Sequence, residues 1–201
     1  MPRGIFRLKQ VYEEQLSGNW SEKKDVWNTP SPFTKAHPFG YFGGGRSPSY
    51  VTTVDRIDYS NDTATAVAKG PLSAAKSYLA ATGNASFGYF GGGGPGPLST
   101  VDRIDYSNDT ATAVAKGPLS VARYNLGATG NTDFGYFGGG IISAHASTVD
   151  RIDYSNDTAT AAVKGPLSVR RYDLAATGNA SFGYFAGGES APGPILSLIH
   201  I

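Results

Sequence analysis

The 201 residues contain no cysteine, one methionine and three histidines. The missing cysteine excludes a disulfide framework, thiolate chemistry and cysteine-ligated zinc. It also argues against a copper oxidase whose ligands include Cys. The histidines stand at 37, 145 and 200 and follow no repeat, so a Ser/His/Asp arrangement would have to form by accident. Glutamate is missing from the repeats until Glu189, which removes the carboxylate pair of a glycoside hydrolase. Charge of one sign is also lacking. Seventeen basic against sixteen acidic residues leave +1, too little to draw nucleic acid or an anionic membrane as partner. No apolar run approaches the roughly 18 residues of a spanning helix. The opening "MPRGIFRLKQVYEEQ" lacks the apolar stretch of a secretory signal. Formal glycosylation sequons such as Asn108–Thr110 and Asn179–Ser181 therefore read as turn residues.

What is abundant is glycine (27), proline (12), tyrosine (12) and phenylalanine (10), a composition of short strands and tight turns. It is organised as a repeat. "FGYFGGG" begins at Phe39, Phe87 and Phe134, and "FGYFAGG" begins at Phe182, so the period is 47 or 48 residues. "TVDRIDYSNDTATAVAKGPLS" is identical at 53–73 and 100–120 and nearly so at 148–168. Insertions and changes fall just after the glycines, in "RSPSYVT", "GPGPLS" and "IISAHAS", which marks surface loops.

One unit predicts four strands: Tyr124–Thr129, Phe134–Gly138, Thr148–Tyr154 and Ala159–Lys164. Gly130-Asn131 closes a hairpin between the first two, and "SNDT" turns between the last two. Pro166 ends the sheet because it cannot donate to a ladder. Small residues on some faces (Gly, and Ala111, Ala113, Ala115) alternate with Phe and Tyr on others. Sheets of this kind stack, with the aromatics of one filling the hollows of the next.

"YFGGG … STVDRIDYSNDT … KGPLSVARYNLGATGN" resembles a kelch repeat. The glycine doublets are Gly43-Gly44, Gly91-Gly92, Gly138-Gly139 and Gly187-Gly188. Lys76, Arg123 and Arg171 stand at the basic position before each first strand. Ile57, Ile104 and Ile152 replace the kelch Tyr, and the fourth-strand Trp is missing, so the pattern is diverged. The resemblance implies an all-β, kelch-like β-propeller fragment of about four blades, each of four antiparallel strands. The repeat texture is also similar to uncharacterised virion proteins of marine bacteriophages, which implies a virion component.

The glycine run itself offers a phosphate cradle or a packing surface. A phosphate loop needs Gly-Lys-Ser/Thr opening a helix, and "RSPSY", "GPGPL" and "IISAH" supply neither, so packing is expected. The acidic cluster Asp55, Asp58, Asn61, Asp62 lacks the glycine and terminal Glu of a calcium loop. It reads as a solvated turn with Arg56 paired to Asp55 or Asp58. No cofactor or metal is expected.

Residues 1–36 carry both tryptophans and read as a lead, linker or cap, with a short helix near Val11–Leu16. Residues 37–195 carry the repeats. "LSLIHI", residues 196–201, looks like the translated end of a transposase adaptor, so continuation beyond Ile195 is expected. The function expected is non-catalytic recognition of a protein or glycan through the variable loops. Arg46, Tyr50, Pro95, Leu98, Ile142 and His145 are the contact candidates. The alternative is the propeller portion of a larger hydrolase or oxidase with its catalytic residues elsewhere.

Overall fold

The computed structural model describes residues 38–190. The readings for residues 1–36 and 196–201 lie outside the described residues. Thirteen strands form four antiparallel sheets, and no α-helix is present among the described residues. The first sheet holds β1 (Phe39–Gly43), β2 (Val54–Asp58) and β3 (Val67–Lys69). The second holds β4 (Ala80–Gly83), β5 (Phe87–Gly91), β6 (Val101–Asp105) and β7 (Val114–Lys116) in chain order. The third repeats it with β8 (Gly127–Gly130), β9 (Phe134–Gly138), β10 (Val149–Asp153) and β11 (Ala162–Lys164). β12 (Ala175–Gly178) and β13 (Gly183–Ala186) make a two-stranded sheet. Among the described residues two of the four sheets thus have the expected four strands, the first has three and the last, as expected of an incomplete final unit, has two; the set does not close on itself.

The second-strand boundaries match the expectation, the third and fourth strands contract, and the first both shortens and takes in Gly130, which was expected in the turn. The first strand starts at Gly127 because Tyr124 bridges to Ile141 in a loop. The fourth starts at Ala162 because residues 157–161 leave their own sheet and bind the preceding one. Gly117 N donates to Asp157 O (2.8 Å) and Ala161 N to Pro118 O (2.8 Å). The same pair of bonds joins Gly70 to Asp109 and Ala113 to Pro71.

The glycines pack, as expected. A Cβ on Gly43, Gly91 or Gly138 would lie 2.8, 2.7 or 2.7 Å from the ring of Phe90, Phe137 or Phe185 in the following sheet. Those rings are at most 2 % exposed. Each contributes on the order of 1.5–3 kcal/mol by burial. Gly44, Gly92 and Gly139 then turn the chain at φ near +70°, a region costly for any side chain. The alanine strand behaves differently. Ala113 is buried, but the fourth strands form the outer edge, with Val67, Val114 and Val163 more than half exposed.

Asn61 and Asp62 are exposed, as expected of a solvated turn, but Asp109 and Asp157, the counterparts of Asp62 in the next two units, are buried. Arg56 pairs with neither Asp55 nor Asp58. Its Nη1 donates to Asp109 Oδ2 at 2.7 Å, one repeat away. Asp109 also accepts from Tyr41 Oη (2.9 Å) and faces Lys69 Nζ (3.3 Å). Asp157 repeats this with Arg103, Tyr89 and Lys116. Tyr106 stacks on Tyr41 and Tyr154 on Tyr89, both at 4.7 Å. Turns 105–113 and 153–161 are therefore plugs, each into the sheet before it. Asp58, Asp105 and Asp153 do act locally, accepting from the backbone N and hydroxyl of Ser60, Ser107 and Ser155.

Burial opposes ionisation of Asp109 and Asp157, but the tyrosine, lysine and arginine donors outweigh it and hold both below the usual carboxylate range. A depressed folded pKa gives stability above the unfolded value, about 4, that is lost as pH falls through the folded value. The melting temperature is therefore expected to drop below about pH 4. Asp109→Asn/Asp157→Asn should start lower and converge on the parent in acid. Parallel curves would show that these carboxylates do not carry the effect.

Candidate functional site

Each second strand ends in its glycine turn, and the loop that follows is clamped by the backbone leading into a first strand. Gly45 N donates to Lys76 O, Gly93 N to Arg123 O and Gly140 N to Arg171 O, at 2.8–2.9 Å. Within one unit, Gly94 bridges Ser77, Ile141 bridges Tyr124 and Glu189 bridges Tyr172. The loops and lead-in segments consequently share the end of the sheets opposite the hairpin tips at Asn84, Asn131 and Asn179. At the tips, the Asn side chains accept from the two backbone amides that close each hairpin.

The lead-ins are anchored from below. Arg123 Nη2 donates to Asp150 Oδ2 (2.9 Å) and Phe137 O (3.0 Å), and both Arg123 and Asp150 are fully buried. Lys76 Nζ meets Asp102 Oδ2 at 3.0 Å with the same burial. Burial pulls the Lys76 and Arg123 side chains below their ordinary values, and the aspartates pull them back. Two residues beyond each cation, Tyr78, Asn125 and Asp173 adopt φ of 56°, 56° and 52°. Asn125 N donates to Tyr78 O (2.8 Å) and Asp173 N to Asn125 O (3.0 Å), so these residues form a hydrogen-bonded row. Asn and Asp accept the left-handed region readily. Tyr78 does not, and a non-glycine held there costs about 1–2 kcal/mol. Such strain gathers at functional sites.

Around the row lie rings and carboxylates. Tyr78 and Tyr124 are tilted against each other at 6.4 Å, and the His145 ring lies 4.5 Å from that of Tyr172. The Tyr172 hydroxyl donates to Glu189, a bond that raises its pKa. Desolvation, with the charge of Glu189, pushes the Asp173 carboxyl above the usual aspartate value. His145 also lines a cleft of about 510 Å³ with Ala144, Ser147, Leu167 and Val169 among its walls.

Of the residues expected from sequence, His145 joins this cluster through Tyr172. Arg46 lies over the Tyr50 ring at 5.4 Å within its own loop. Pro95 and Ile142 are exposed at their loop tips. Leu98 serves through its backbone, which accepts from Arg123 N at 3.0 Å. Sequence reasoning missed Tyr78, Tyr124, Asn125, Tyr172, Asp173 and Glu189. The signal was there: "KSYL", "RYNL" and "RYDL" differ inside otherwise copied units.

No family model matches the chain, and no curated protein matches it. Among solved structures it is similar to the one titled "Structure of YjhT", at 17% sequence identity and a TM-score of 0.60. The match covers 75% of this chain and 50% of that one, so the chain spans about half the length of that structure. The likeness is one of fold, to a β-propeller-like neighbour.

Proposed function

We propose that the four sheets are an arc of a kelch-like β-propeller and that its loop-bearing end is a non-catalytic binding face, with a glycan as ligand. The observation that carries this is where the repeats differ. The framework is copied almost letter for letter, while change concentrates in the loops and lead-ins that meet at one end. That end presents tyrosine rings, His145 and the carboxylates of Asp173 and Glu189. Flat rings with a polar edge cover a sugar's apolar face at small entropic cost, and carboxylates take its hydroxyls. A protein ligand is the second reading, favoured by the exposed apolar Ile142 and Val121 at the same end.

The test is a panel of immobilised oligosaccharides probed with the chain, followed by titration of any that bind. Tyr172→Ala is expected to weaken binding roughly tenfold or more. Tyr78→Asn should also weaken it while raising the urea midpoint by about 1 kcal/mol of stability, because the strain is relieved. Binding that neither substitution changes would sink the assignment of this face.

A further inference from the structure

At the end of the sheets that carries the hairpin tips, away from the variable loops, a cleft of about 430 Å³ opens between the second and third sheets. One wall is Asn84 and Phe87 of the second sheet. The other is the tip 132–134 of the third sheet with its turn 153–155. Both walls belong to four-stranded sheets. They are fixed to each other. Asn84 Nδ2 donates to Thr132 O (3.4 Å), Tyr154 stacks on Tyr89 at 4.7 Å, and the Tyr154 hydroxyl lies 3.3 Å from Thr82 Oγ1. A cleft between walls held in this way is preorganised for a ligand.

One side chain in it has no part in closing the fold. At every tip the Asn side chain accepts from the backbone amide two residues on, which belongs to Ser86, Asp133 or Ser181. The turn uses that residue's amide and not its side chain, so serine closes two tips and aspartate closes the third. "GNAS" is kept at 83–86 and 178–181, and only the third sheet reads "GNTD". Asp133 is exposed and has no ion-pair partner among the described residues. A second carboxylate stands beside it. Tyr154 N donates to Asp133 O (3.0 Å), and Asp153 pairs with Phe134. The Ser155 hydroxyl and amide, with Arg151 nearby, hold the Asp153 carboxyl below the usual aspartate range. The remaining surface is aromatic, from Phe87, Phe134 and Tyr154, and no basic residue lines the cleft.

We propose that this cleft takes an arginine side chain from a partner protein. Two carboxylates without a base in the lining select a cation. The rings and the volume select an organic one. Calcium needs about 6–8 oxygens, and two carboxylates among aromatic walls do not supply them. Arginine suits the two surfaces together: its stem packs along the rings, and its guanidinium forks onto the free Asp133 carboxylate. Lysine offers the stem but only a strongly hydrated point charge. The chain already uses this combination in its own joints. Arg103 lies over Phe87 at 4.3 Å and donates to Asp157 at 2.7 Å, and Arg56 lies over Phe39 at 4.0 Å and donates to Asp109 at 2.7 Å. The cleft lies at the end opposite the loop face, and the inference is independent of what that face binds.

Titration of the nitrogen-15-labelled chain with the tripeptide acetyl-Gly-Arg-Gly amide tests it, read at the amide resonances of Thr132, Asp133 and Ser155. These should move together and saturate with a Kd of about 1 mM, the affinity of a single anchoring side chain. Tripeptides with citrulline or lysine in place of arginine should bind more weakly, the neutral citrulline by roughly tenfold or more. Asp133→Ser puts at this tip the residue that closes the other two, so it should keep the parent's melting temperature while weakening the arginine peptide roughly tenfold or more. Resonances that stay still overturn the proposal, as do equal binding of the citrulline or lysine peptide and undiminished binding to Asp133→Ser. Calcium chloride that moves the same resonances at lower concentration than the peptide also overturns it, in favour of a metal.

Discussion

Asp150→Ala is expected to cost about 3–5 kcal/mol of stability, while Asp55→Ala changes it by no more than about 0.5 kcal/mol. The two residues hold the same place in the same pentapeptide, "VDRID". Asp150 is fully buried. It accepts from Ser120 N and Oγ and from Arg123 Nη2, itself fully buried. Removing the carboxylate strands a guanidinium that cannot reach water, and Arg123 Nε and Nη1 are already unpaired. Asp55 is half-buried, with no such cation among the described residues to strand. Against a typical total of 5–15 kcal/mol, the first loss is a large fraction and the second is invisible in a melt. Urea unfolding of both variants checks this. A third, Asp150→Leu/Arg123→Met, separates the pair's net worth from the penalty of breaking it, and should be less damaged than Asp150→Ala alone. Equal losses at Asp55 and Asp150 would mean that the buried pair does not set the stability of this junction.

The same contrast explains what was legible in the sequence. The period, the second strand and the role of the glycines follow from local pattern: alternation, turn residues, and small residues opposite rings. Phe137 in the hollow at Gly91 is the stacking that those patterns ask for. Partner identity was not legible. Arg56 has Asp55 and Asp58 within two residues, and nearness in sequence favoured them. In an extended strand the side chains of neighbours point to opposite faces, so Asp55 is turned away from Arg56. Arg56 instead finds Asp109, 53 residues on. The fourth strand shortened for the same reason: "DTATA" is a bond between sheets, and no periodicity within one unit reveals that. At the loop-bearing end, loop variation pointed to His145 but not to Tyr172, whose part depends on a contact between successive units. What a single repeat encodes could be read. What two repeats encode together appears only where they pack against each other.

Gly117→Ala and Gly165→Ala give the second large contrast. Both glycines precede a proline in "KGPLS", so backbone propensity and local sequence are nearly the same. At Gly117 a Cβ would lie 1.9 Å from Ala159 O and 2.5 Å from its carbonyl carbon, with backbone on both sides and no side chain able to yield. The turn must lift away. The Gly117–Asp157 and Ala161–Pro118 hydrogen bonds then go with it, and the Asp157 contacts to Tyr89 and Arg103 weaken. Overpacking alone costs about 1–3 kcal/mol and occasionally more. With the lost bonds, about 3 kcal/mol or more is expected, together with looser coupling between the second and third sheets. At Gly165 the added methyl meets open space. There the effect on the isolated chain should lie within about 0.5 kcal/mol, or favour folding slightly by restricting the unfolded state. Denaturation at low concentration measures folding free of any association, and hydrogen exchange at Gly117 and Ala161 reads the junction itself. Because the substitution is the same at both sites, the difference between them isolates one quantity: the free energy with which a turn from one sheet closes on the edge of another. Gly165→Ala values as damaging as those at Gly117 would show that the cost lies in the glycine's own backbone, and the plug-and-socket account of how these sheets are joined would fail.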